Sequence, residues 1–118
     1  MLNENAKKWV AALRDPEAKQ TKQTLEDDTG NCCLGVVCRL YAKEYPDWPI
    51  GTREGFMTFG SSNSTAVLPY EVMNWLNLNN SNGRHVNGQT LTRMNDHGAS
   101  FAEIADLIES EPAGLFVA

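Results

Sequence analysis

An α+β fold is predicted for this chain: a single domain over residues 1–118, with four to five helices against a small antiparallel sheet. Three observations lead there. Apolar residues recur at helical spacing in several separate stretches. Between them stand short runs rich in Thr, Val and Phe, bounded by Gly, Asn and Asp turn signals. And 118 residues with 42% hydrophobic content suffice for one core but not for two.

Leu2, Ala6, Trp9, Val10 and Leu13 fall at three- and four-residue steps and predict a first helix that stops before Pro16. Thr21, Thr24 and Leu25 allow a strand ahead of the turn Asp28-Thr29-Gly30. Asn31 is placed to cap a second helix over residues 32–45, with Cys33, Val36, Val37, Leu40 and Tyr41 on its inner face and Pro46 and Pro49 beyond its end. Residues 45–60, with Trp48, Phe56, Met57 and Phe59, read as a loop leading into a short strand. A hairpin then runs through Gly60-Ser61-Ser62-Asn63 to Thr65-Ala66-Val67-Leu68. Pro69 suits the first turn of a third helix whose inner stripe is Val72, Met73 and Leu76. Residues 79–88 are an Asn/Gly-rich loop with room for a strand at residues 84–86, followed by a short helix from Leu91 to Asp96. Ser100 and Glu103 form a capping box that opens the last helix, with Phe101, Ile104, Ala105 and Ile108 turned to the core.

Bulk properties narrow the function classes. The net charge of −5, with ten Lys and Arg scattered along the chain, makes a nucleic-acid partner unexpected, because phosphates would repel the protein. No run approaches the roughly 20 apolar residues of a membrane span, and Met1 to Lys8 is polar where a secretory signal would be apolar. No membrane association is therefore expected, and a cytoplasmic location is. Three cysteines, two of them adjacent, read as reduced thiols.

Four constellations could carry chemistry. Cys32 and Cys33 sit where a helix begins and its dipole favours a thiolate; with His85 as base and Asn87 to orient it, they outline a cysteine hydrolase. The competing reading makes them small buried hydrophobes, and it is the one preferred here. A zinc site from Cys32, Cys33 and Cys38 with His85 or His97 lacks the paired short-loop spacing such sites use, so neither metal nor cofactor is expected. The stretch from Gly98 to Ile108 has the look of the opening helix of a helix-turn-helix, but no basic recognition helix follows. Last, Trp48, Tyr70 and Trp75 with Arg39, Arg53, Arg84 and Arg93 are residue types that stack on rings and clamp phosphates or carboxylates, and they are the candidate ligand-binding residues.

Trp9-Val10-Ala11-Ala12-Leu13, the block from Asn31 to Leu40, Leu68-Pro69-Tyr70-Glu71-Val72 with Trp75, and the block from Asn95 to Ala105 resemble, in that order and over most of the chain, a family of small bacteriophage and prophage proteins without an assigned activity. The resemblance implies a compact α+β fold and a phage setting, and it carries over no catalytic residue. It leads to the expectation of a non-catalytic accessory protein, a homo-oligomer in the host cytoplasm, that binds a host defence protein or holds a small nucleotide-like signal. The alternative is the hydrolase built on Cys32 or Cys33 with His85.

Overall fold

Helix α1 (Glu4–Leu13) begins where the Asn3 side chain accepts the Ala6 N–H, and it buries Ala6, Trp9, Val10 and Leu13 as their spacing predicts. The computed structural model describes residues 2–117. After α1 come β1 (Glu26–Asp27), β2 (Gly30–Asn31), α2 (Cys33–Glu44), β3 (Ile50–Arg53), β4 (Phe56–Phe59), α3 (Tyr70–Leu76), a 3₁₀ turn at Val86–Gly88, α4 (Leu91–Asp96) and α5 (Phe101–Glu109). The fold is α+β, with two separate two-stranded antiparallel sheets.

The strands differ most from expectation, and the reason lies in where their backbone bonds go. The first strand falls at Glu26–Asp27, just past Thr21 to Leu25, because the Leu25 N–H is taken by Thr65 O at 2.6 Å. That same bond, with Leu68 N–H on Ser81 O, withdraws residues 65–68 from any ladder. The predicted hairpin there reduces to one bridge between Phe59 and Ser64. The hairpin forms instead between β3 and β4, paired from Ile50↔Phe59 to Arg53↔Phe56. It closes through Glu54 and Gly55, both at positive φ, as a two-residue hairpin turn requires. Likewise residues 84–86 make a single bridge, Arg84 to Thr90, and no strand.

Helix α2 is the centre of the molecule. Asn31 does not cap it: that residue lies in β2 and its amide donates to Glu26 Oε1. Cys32 holds the N-cap position, and the orphan Cys33 N–H is met from another element, by Asn95 Oδ1 of α4 at 3.2 Å. The helix is buried on Cys33, Leu34, Gly35, Val37 and Cys38, while Val36, Leu40 and Tyr41 are only half covered. Its first turn is enclosed on every side. Gly35 lies so close to the Leu25 carbonyl that a Cβ there would come within 1.7 Å of the oxygen.

Trp9 Nε1 donates to Cys33 O at 2.9 Å, which locks α1 onto α2. Phe59, Val72, Leu76, Leu91, Ile104, Ile108 and Leu115 complete one continuous core, each contributing about 2 kcal/mol through lost apolar hydration. Helix α4 spans the predicted residues. At α5 the Ser100/Glu103 capping box forms in both directions. The chain end is tied down by Asn79 N–H on Leu115 O and Val117 N–H on Asn77 O. Among the described residues no helix is long and apolar enough to cross a membrane.

Candidate functional site

The cysteines at the head of α2 are packed, not presented. Cys33 and Cys38 have no exposed surface, and the Cys33 thiol donates to Leu91 O at 3.7 Å. Cys32 contributes part of the wall of a cleft of 200 Å³ beside Asn82, Thr92 and Asp96, yet it too is only 3% exposed. Burial raises all three thiols, most strongly Cys33 and Cys38. At Cys32 the backbone N–H groups of Gly35 and Leu34 pull toward the thiolate and are outweighed. His85 is not brought to any of them: both its ring nitrogens are buried without a hydrogen-bond partner, and burial lowers its pKa. Asn87, expected to orient it, is an exposed residue of the 3₁₀ turn with φ 65°. The thiol-imidazole pair that a hydrolase needs is therefore not assembled. Among the described residues no group of three or more His, Cys, Asp or Glu could hold a metal ion.

What the fold does assemble is an aromatic face where the end of α2, the loop after it and α3 meet. Tyr41 is its hub. Its ring lies 4.6 Å from Tyr45, 4.8 Å edge-on from Trp48 and 5.6 Å edge-on from Trp75, measured between centroids, the separations and tilts at which aromatic quadrupoles attract. Trp48 stacks on Phe59 at 5.9 Å and donates its indole N–H to Glu71 Oε2 at 2.8 Å. The half-covered Tyr41 hydroxyl is raised by burial, with Glu71 and then Tyr45 adding to it. Tyr45 is 47% exposed and Tyr70, beside Glu71 on α3, 70%. The result is a surface of rings edged by a carboxylate, suited to apolar and basic side chains of a partner.

Of the candidate residues, the fold brings Arg39, Trp48 and Trp75 into this one cluster. Arg39 is already engaged: its guanidinium sits 5.6 Å over the Phe59 ring and grips Glu26 with two bonds of 2.6 Å, which hold the Glu26 carboxyl below its ordinary range. Arg53 ends β3, Arg84 lies ahead of the 3₁₀ turn in the bridge to Thr90, and Arg93 belongs to α4, so arginines and aromatics do not form a joint clamp. Sequence reading missed Tyr41, Tyr45 and Glu71. The spacing of the two tyrosines, four apart at a helix end, was the available signal.

Fold and site together define a small α+β protein with a solvent-facing aromatic cluster and deeply packed thiols. Residues 1–112 match a family described as a domain of unknown function (DUF8296), and the chain belongs to that family. No curated protein and no solved structure matches it.

Proposed function

We propose that the chain is a non-catalytic accessory protein of phage or prophage origin that acts in the host cytoplasm by binding, its aromatic face docking on a host defence protein. The observation that carries this reading is the cluster of Tyr41, Tyr45, Trp48 and Trp75, with Tyr45 its most exposed ring. Aromatics of this kind dominate binding energy at protein interfaces. Support comes also from the burial of every thiol and from the resemblance of the sequence blocks to phage proteins. The acidic balance of the chain favours a partner with a basic surface. The protein acts as a homo-oligomer, which sedimentation equilibrium checks as a mass that is a multiple of 13.1 kDa.

The test is phage plating on bacteria that carry defence systems and express the chain. Plating is restored by the native protein and lost with Tyr45→Ala, whose melting temperature is measured beside it because the same half-exposed ring packs on Tyr41. Equal restoration by the variant removes the aromatic face from the reading. Failure of the native chain to restore plating against any system removes the defence target.

A further inference from the structure

A second region, made by different elements, has the chemistry of a small-anion site. The 3₁₀ turn, α4 and the start of α5 enclose an open cleft of 680 Å³, within the range of small-molecule sites. Arg93 of α4 and His97, its C-cap, stand four residues apart and both line it. Neither side chain has an ion-pair or hydrogen-bond partner among the described residues. By contrast Arg14 and Arg39 are held by carboxylates. Arg84 does not line this cleft; its Nη2 lies 3.9 Å from where a Cβ on Gly88 would stand, in the neighbouring cleft beside His85. The one carboxylate lining the cleft, Glu103, accepts the Ser100 N–H at 3.0 Å in the capping box, which holds it at the start of α5, and it stays ionised there, so a phosphate must sit on the Arg93 side. Asn87 and Gln89 line it with side-chain amides, and Met94 lines it with an apolar side chain.

We propose that this cleft binds a small phosphorylated molecule with a flat hydrogen-bonding ring, of which a nucleoside monophosphate is the simplest. A phosphate is taken by the forked guanidinium of Arg93 with His97 beside it. The Asn87 and Gln89 amides, each both donor and acceptor, suit the edge of a base, and the Met94 thioether suits its face. The inference does not depend on the aromatic face, which shares none of these residues.

Isothermal titration with AMP, ribose 5-phosphate and inorganic phosphate as probes tests it, on the native chain and on Arg93→Gln, His97→Gln and Arg53→Gln. AMP binds more tightly than ribose 5-phosphate, and that more tightly than phosphate. Arg93→Gln weakens AMP about tenfold or more, as loss of a charge-assisted pair does. His97→Gln weakens it less, and Arg53→Gln, on the β3–β4 hairpin, leaves it unchanged. The proposal is overturned by absence of AMP binding at about 1 mM, where affinity amounts to only ~4 kcal/mol. It is equally overturned by AMP binding no better than phosphate, by an unweakened Arg93→Gln, or by an equal loss in Arg53→Gln.

Discussion

Replacing Asn95 by Ala tests the joint on which the fold turns. The side chain has no exposed surface and joins three segments: its Oδ1 accepts from Gln20 Nε2 at 2.7 Å and from Cys33 N–H at 3.2 Å, and its Nδ2 donates to Thr21 O at 2.8 Å. Truncation leaves the buried Cys33 N–H with no partner, at about 2 kcal/mol. The half-covered Thr21 carbonyl adds about 1 kcal/mol, and the space left by the amide adds about 1 kcal/mol more. The expected loss is about 4 kcal/mol, a large part of the ~5–15 kcal/mol that holds an ordinary domain folded. In urea, with a slope of about 1.5 kcal/mol per M, the midpoint falls by about 2.5 M with the slope unchanged. Asn95→Asp keeps the acceptor but turns a carboxylate oxygen toward Thr21 O, so it is destabilised to a similar degree. A loss under about 1 kcal/mol in Asn95→Ala would show that water replaces the amide, and the argument that this residue caps α2 from a distance would fail.

Three further outcomes follow from the same packing. Gly35→Ala sets a methyl group against the Leu25 carbonyl and costs about 3 kcal/mol or more; a melting temperature within a few degrees of native would contradict the close crossing. His85 has a pKa below its ordinary value because it is buried, so below about pH 6.5 the unfolded chain takes up a proton that the folded one refuses. Stability is therefore full above that pH and declines as pH falls through it. His85→Leu flattens the decline between pH 7.5 and 5.5 in thermal melts, and an equally steep decline in the variant would assign the effect to other groups. At neutral pH iodoacetamide labels Cys33 and Cys38 only as fast as the protein unfolds, since both thiols are fully covered and raised; rapid selective labelling of Cys33 would restore the hydrolase.

The helices were legible because their signals are local. Leu2 to Leu13 carries its own stripe, and Ser100 with Glu103 carries its own cap. The strands were not, because Leu25 pairs with Thr65, a partner forty residues away that no local window of sequence contains. Helix α2 shows the boundary between the two cases. Its extent is periodic and was readable. Its cap was assigned to the adjacent Asn31, while the group that satisfies it, Asn95, lies 62 residues away. The candidate site divides in the same manner: composition named Trp48 and Trp75, but only the fold supplies Tyr41 as the ring that joins them. Composition also offered Arg39 as a free cation, which Glu26 claims.

The sequence blocks that carry the phage resemblance divide by what they do. Three of them converge on one residue: Trp9 of the first donates to Cys33 O, Cys33 belongs to the second, and Asn95 of the fourth accepts its N–H. These blocks explain how α2 is held, and the pair of cysteines between them is packing at that junction. The block from Leu68 to Trp75 is different. It sends Leu68 and Val72 into the core, but Glu71 and Trp75 go to the aromatic face, where no contact to the Cys33 junction explains them. A polar-edged cluster of rings left half in water lacks part of the burial that large apolar side chains supply in a core. Its role is therefore better sought in what covers it than in what lies beneath it, and Tyr45, the most exposed of its rings, is the residue on which that distinction can be measured.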